Sequence, residues 1–266
     1  MRKSLICTAI TALLLAGCAT GSNDGVTLDE LEHVHSVATD GEEFFLASHH
    51  GLYVWSGDSW QLRGEEFDIM GLAFDDDVFY ASGHPGPSQD LPDPLGILVS
   101  KDAGETWEPS VLTGEVDFHL LEVAGTTVVG VAANYGMVVA SADLGQTWTS
   151  LEVPPLTSLA LNPLNGNEIL LASDGALFLS EDDGVTFLPA TAPPGISLIE
   201  WSDSRIYLSD GSTIFAGSTP EGPHVALLQE FTNILGIAAH GEAIMVLDDQ
   251  GVHFSRDSGA SFTLLP

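Results

Sequence analysis

An eight-residue phrase that returns at a nearly fixed interval constrains this chain more than any other feature. Ser100-Lys101-Asp102-Ala103-Gly104-Glu105-Thr106-Trp107 recurs as Ser141-Ala142-Asp143-Leu144-Gly145-Gln146-Thr147-Trp148. It returns as Ser180-Glu181-Asp182-Asp183-Gly184-Val185-Thr186-Phe187 and as Ser255-Arg256-Asp257-Ser258-Gly259-Ala260-Ser261-Phe262. A shortened copy, Ser56-Gly57-Asp58-Ser59-Trp60, comes earlier, and a degenerate one falls near Ser218-Thr219-Pro220-Glu221-Gly222. The anchor serines step by 44, 41, 39, 38 and 37 residues. A steady period of about 40 residues marks propeller blades or a solenoid.

The phrase has a physical reading as a hairpin staple. Ser and Asp side chains bond nearby backbone N–H groups and tie off a turn. Gly supplies positive φ at the tight point, and the Thr and aromatic residue open the next strand. Asp58, Asp102, Asp143, Asp182 and Asp257 are therefore assigned a structural role. The phrase resembles the BNR or Asp-box repeat of sialidases, sortilin-type receptors and many secreted propellers. That resemblance implies that the staples sit on the face opposite a ligand site.

Each period also holds four strand-like runs. They are cleanest at Leu156 to Leu161, Glu168 to Ala172, Ala176 to Ser180 and Thr186 to Pro189, separated by Asn-Pro, Asn-Gly and Asp-Gly turns. No amphipathic helix of useful length interrupts them. The expected fold class is all-β: a single β-propeller of about six four-stranded blades with Asp-box hairpins. The blades fall near residues 31–66, 67–114, 115–153, 154–192, 193–230 and 231–266. Residues 18–30 read as a tether, with Val26 to Leu28 available as an added strand where the ring closes.

Residues 1–17 have the three parts of an export signal: Arg2 and Lys3, an apolar run from Leu5 to Leu15, and small residues before Cys18. The run is too short to span a bilayer, which takes about 20 residues. Leu15-Ala16-Gly17-Cys18 resembles a bacterial lipobox, which implies lipidation of Cys18, removal of what precedes it, and a place on the outer face of the cell membrane. A plain secretory signal is the alternative. Cys7 leaves with the signal, so no disulfide forms within one mature chain.

Asp and Glu total 38 against 6 Lys and Arg. After processing only Arg63, Lys101, Arg205 and Arg256 remain basic. Such a surface repels nucleic acid and excludes it as a partner. It favours cations, or surroundings where salt screens self-repulsion, and the scarcity of lysine looks like that of a salt-adapted proteome. A monomer is expected.

Six of the nine histidines fall in the first three repeats. At the starts of the innermost strands stand His33-Val34-His35, Asp68-Ile69-Met70 and Asp117-Phe118-His119. The turns that share their face carry His49-His50, His84 and Asn134-Tyr135. His33 and His35 are spaced to share one face of a strand, as are Asp117 and His119. The second repeat adds a long stiff turn from Gly83 to Pro94 with four prolines, a length common in functional loops. His33, His35, His49, His50, Met70, His84, Asp117 and His119 form the candidate set for a zinc or copper ion or a small ligand. The alternative is that these imidazoles only bond backbone and carboxylates in a polar channel. His224, His240 and His253 read as ordinary surface or strand residues.

Taken whole, the chain is similar to small bacterial lipoproteins commonly labelled glycosyl hydrolase or exo-sialidase-like. His33-Val34-His35, Ser48-His49-His50-Gly51, Ser82-Gly83-His84-Pro85 and Asp117-Phe118-His119 look like that group's shared motifs. Sialidases clamp their substrate with three arginines, a triad that Arg63, Arg205 and Arg256 are badly placed to form. A glycosidase acting on neutral sugars needs two carboxyl groups, for which Asp68 and Asp117 are the catalytic candidates and Glu115, Asp90 and Asp93 lie nearby. The expected function is an extracytoplasmic, lipid-anchored binding module with a His-rich mouth that takes a metal ion, a small ligand, a glycan or a protein. The alternatives are a glycosyl hydrolase on neutral glycans and an assembly scaffold for a membrane complex.

Overall fold

In the computed structural model, residues 25–265 are described, so the export segment and Cys18 lie outside the described residues. Within them the chain forms six four-stranded antiparallel sheets, each a simple meander of consecutive strands. The first takes β1 (Val34–Thr39), β2 (Phe44–Ser48), β3 (Gly51–Trp55) and β4 (Trp60–Arg63). The second takes β5 (Asp68–Asp75), β6 (Val78–His84), β7 (Ile97–Ser100) and β8 (Glu108–Val111). The third takes β9 (Phe118–Ala124), β10 (Thr127–Ala132), β11 (Met137–Ser141) and β12 (Thr149–Leu151). The fourth takes β13 (Ser158–Leu161), β14 (Ile169–Ser173), β15 (Ala176–Ser180) and β16 (Leu188–Pro189). The fifth takes β17 (Leu198–Trp201), β18 (Ile206–Ser209), β19 (Ile214–Gly217) and β20 (Val225–Ala226). The sixth takes β21 (Gly236–His240), β22 (Ala243–Asp248), β23 (Gly251–Ser255) and β24 (Thr263–Leu264). The first strands of successive sheets lie side by side around an axis, and β21 returns to β1. The molecule is a six-bladed β-propeller.

Residue patterns explain the layering. Second strands such as Phe44–Ser48, Ile169–Ser173 and Ala243–Asp248 are buried along their whole length, because both faces of a blade pack on neighbours. Outermost strands such as Leu188–Pro189 and Val225–Ala226 are exposed. The apolar core is accordingly divided into six clusters, each drawn mainly from two adjacent blades. Phe45 and Phe79 meet edge to face at 4.9 Å across the first seam.

Polar bonds cross the same seams. The Phe118 N–H donates to Ser82 Oγ at 3.0 Å, and the Ile199 N–H donates to Ser158 Oγ at 3.1 Å. Gly125 and Gly241 donate to the carboxylates of Asp75 and Asp203. The first and last blades share no strand. Their seam is closed by apolar packing and by Arg256, whose Nη2 donates to Glu42 O at 2.8 Å and whose guanidinium lies over Phe44. Val26 adds one bridge to the outer strand of the first blade, exchanging two hydrogen bonds with Trp60, and Leu28 and Leu265 pack into the same seam.

Four of the repeated phrases make one and the same set of bonds. In each, the Ser hydroxyl donates to the Asp carboxylate and accepts the Gly N–H at 2.8–2.9 Å. The other Asp bonds run from the backbone N–H and hydroxyl of the following Thr or Ser. Two successive residues take positive φ, for example Leu144 at 53° and Gly145 at 85°. The shortened copy differs: Ser56 and Ser59 close a tight hairpin through Gly57, and Asp58 accepts only the Ser59 hydroxyl.

Candidate functional site

The meander puts the start of each first strand, the end of each second strand and the start of each third strand on one rim. Register then decides which side chains meet there. In the second blade Asp68 lies directly opposite His84, and in the first Val34 lies opposite Ser48, which brings His35 beside His49. In the third, the Ala133 N–H donates to Asp117 O at 2.8 Å and sets Asp117 at the rim just before β9. The staples join third strands to fourth and occupy the opposite rim.

Three donors converge tightly. His35 Nε2 lies 3.2 Å from His49 Nδ1 and 3.6 Å from Asp68 Oδ1, and His49 Nδ1 lies 3.0 Å from Asp68 Oδ1. The two imidazoles are edge to face at 4.4 Å. No N–H is aligned to donate to Asp68 Oδ1, so this buried oxygen lacks a hydrogen-bond partner. Burial, reinforced by the neighbouring His49, pulls the pKa of His35 down against the attraction of Asp68. The shift favours neutral His35, the form in which imidazole ligates a metal.

A second group adjoins the first. His119 Nε2 lies 2.9 Å from Asp117 Oδ2, and His84 Nε2 lies 3.8 Å from the same oxygen. His84 Nδ1 is held at 2.7 Å by Asp93 from the proline-rich loop. Burial lowers the pKa of His84, but the Asp93 bond and the charges of Asp117, Asp93 and Asp68 together outweigh it and raise the value.

The remaining expected residues are placed differently. His33 stands just outside β1 with φ at 50°, so it does not share a strand face with His35; its ring meets His49 edge-on at 5.3 Å. His50 is half exposed, with Nδ1 3.9 Å from Glu66 Oε1 rather than beside the other imidazoles. Met70 is the extra residue in a bulge of β5, between the Ile69–Gly83 and Gly71–Ser82 pairs. His253 is the strand residue expected, within β23, and it is buried, with Nε2 3.0 Å from the fully buried Asp248. None of the three arginines reaches the mouth. Arg63 bonds Ala103 and Glu105 of the neighbouring staple, Arg256 bonds the β1–β2 turn, and Arg205 sits in the β17–β18 turn, all toward the opposite rim.

Two channel residues escaped the sequence reading. Glu122 and Glu200 line a central cavity of about 310 Å³ that runs from His35 toward His240. Burial raises the pKa of both, with Glu122 pushed well up by burial and then by Glu200, and Glu200 reaching about 7. Their inward position follows strand periodicity, but nothing in a chain this acidic sets these two glutamates apart beforehand.

The fold and rim together define a six-bladed propeller whose first three blades bring His35, His49, Asp68, His84, Asp117 and His119 to one rim, with a further buried His253–Asp248 pair in the sixth. No protein-family model matches the sequence, and no curated protein matches it. Solved structures share the fold at low identity. A GH74 enzyme of Niastella koreensis superposes with a TM-score of 0.58 and 16% identity, covering 89% of this chain and 38% of the enzyme, so this chain spans well under half of that protein. A chain of a Nidogen/Laminin complex gives 0.59 and 14%, covering 84% of this chain and 93% of that one. PorZ, an essential surface component of the type-IX secretion system of Porphyromonas gingivalis, gives 0.54 and 10%, covering 89% of this chain and 38% of its own.

Proposed function

We propose that this protein is an extracytoplasmic binding module whose rim holds a zinc-class ion on His35, His49 and Asp68. The carrying observation is the size of the donor triangle. Donors at about 2.0–2.1 Å around a tetrahedral ion stand about 3.3 Å apart. The edges here are 3.0, 3.2 and 3.6 Å. A triangle of that size, with one buried oxygen otherwise lacking a partner, suits an ion better than it suits three mutually hydrogen-bonded side chains. Three protein donors would leave a tetrahedral ion one open position for water or an incoming ligand. The lipid anchor at Cys18 belongs to the same reading and would present this rim outside the cell.

The test is a Zn²⁺ titration of chelator-stripped protein, repeated with Cu²⁺. Loss of one bound equivalent in the H35A/H49A variant, relative to the native protein and with circular dichroism unchanged, supports the reading. A stoichiometry and affinity that the double substitution leaves unchanged removes it. The glycosyl-hydrolase alternative has less support, because Asp68 and Asp117 are both engaged with imidazoles rather than flanking open space. The scaffold alternative rests on shared fold alone, which does not carry function.

A further inference from the structure

We infer that the central channel is a binding site for a small primary amine with an apolar body, its ammonium group drawn to Glu122 and Glu200. This site is separate from the ion-binding triangle at the rim and does not depend on it.

The strand register sets these two glutamates apart. Aligned on their innermost strands, the blades read Ser36-Val37-Ala38, Gly71-Leu72-Ala73, Leu120-Leu121-Glu122, Ser158-Leu159-Ala160, Leu198-Ile199-Glu200 and Gly236-Ile237-Ala238. Ala38, Ala73, Ala160 and Ala238 are buried, and four blades thus complete the ring without a carboxyl at this position. Only the third and fifth place one there. Each glutamate reaches toward the next blade: the Ala239 N–H donates to Glu200 Oε1 at 2.9 Å, and the Leu161 N–H approaches Glu122. Both side chains border the cavity, and among the described residues that line it there is no lysine or arginine. A carboxylate withdrawn from water without an opposite charge is costly and shifts toward its neutral form. Burial raises the pKa of both groups, and Glu200 raises that of Glu122 further. A cation lodged beside them offsets the desolvation of two carboxyls at once.

The lining selects the kind of cation. At about 310 Å³ the cavity lies at the small end of the range of ligand pockets, about 300–1,000 Å³. Its walls carry Val37, Leu72, Leu121, Leu198 and Ile237, which suit an alkyl or aryl body and offer nothing to the water shell of an inorganic ion. Phe74 and Trp201 border the end away from His35, and aromatic rings attract ammonium groups. Asp75 and Asp203 stand at that end too, but accept the N–H groups of Gly125 and Gly241 across the seams. Carboxyls are therefore the formal charges along the cavity, and an anionic ligand is repelled. A primary ammonium presents three N–H donors, enough to serve two carboxylates, whereas a quaternary one has none. The formal net charge of −32 draws such cations to the molecule from solution.

The test is calorimetric titration with n-hexylammonium chloride in EDTA and about 0.15 M NaCl, which screens the outer surface. EDTA keeps any rim ion from taking the amine, so the result stands apart from the metal-binding reading. Native protein is compared with E122Q/E200Q, which removes at most two charges from the formal net of −32 and keeps an acceptor for Ala239. Saturable binding of one equivalent is expected, weakened about tenfold or more in the double variant, as for loss of a hydrogen bond to a charged group. Hexanol, which has the same body without the charge, should bind about tenfold or more weakly than the amine. Circular dichroism checks the fold, and E200Q alone replaces the double variant if that fails to fold. No saturable heat, an affinity that the glutamine variants leave unchanged, or hexanol binding as well as the amine overturns the site.

Discussion

The carboxyl of Glu200 faces the central channel, where burial raises its pKa from the ordinary 4.5 to about 7 even though the Ala239 N–H donates to Oε1 at 2.9 Å. A carboxyl whose folded pKa lies above its unfolded one stabilises the fold fully below pH 4.5, and that stability is lost as pH rises through about 7. Glu200→Gln keeps the acceptor for Ala239 and removes the ionisation. It should exceed the native protein in stability by up to about 3 kcal/mol at pH 8 and match it near pH 4.5. Urea denaturation at the two pH values checks this, and an equal gap at both would contradict it. Tyr207 is a second such residue. Its buried hydroxyl has no partner, and burial drives its pKa up to about 12. Tyr207→Phe should be neutral or stabilising by up to about 1–3 kcal/mol, because it removes an unsatisfied group and keeps the ring. A clear loss of stability would show that the hydroxyl is satisfied in solution.

At the scale of the element, the stapled hairpin repeats its bonds in four blades, and bonding to the Ser and Thr or Ser side chains and to backbone N–H groups holds the pKa of Asp102, Asp143, Asp182 and Asp257 below the usual carboxylate range. A depressed carboxylate pKa gives stability that is present above the unfolded value and lost as pH falls through the folded one. Asp143→Ala should therefore lower the melting temperature at pH 7, and the difference from the native protein should shrink at pH 3. A gap that stayed constant across this range would assign the loss to packing instead. These hairpins were legible in the sequence because their bonds are local, spanning at most four residues. The rim was legible only in part. Period-two spacing placed His35 and His119 but failed at His33, where a left-handed residue breaks the strand, and at Met70, which a bulge displaces. Asp93 was visible as one more carboxylate, but its bond to His84 depends on how the proline-rich loop folds back.

For the whole molecule, charge and closure matter most. With 38 acidic residues against 6 basic ones, self-repulsion opposes the compact state. The Debye length falls from about 10 Å at 0.1 M salt to about 3 Å at 1 M. The melting temperature should therefore rise with NaCl over that range, and a fall would mean that the seam ion pairs outweigh the repulsion. Arg63 and Arg256 each tie two blades together, so replacing either by Ala should cost more stability than replacing Lys101.

The seam between the last blade and the first is made of the same material as the other five: packed apolar faces, without a borrowed strand. An open stack of repeats frays from its ends. A necklace has no end, and no bead can leave it until the string parts on both sides. Removing any one blade here means separating two seams at once, so partial opening brings little relief for a large exposure of apolar surface. The ring should hold or fail as a unit, melting in one transition rather than blade by blade.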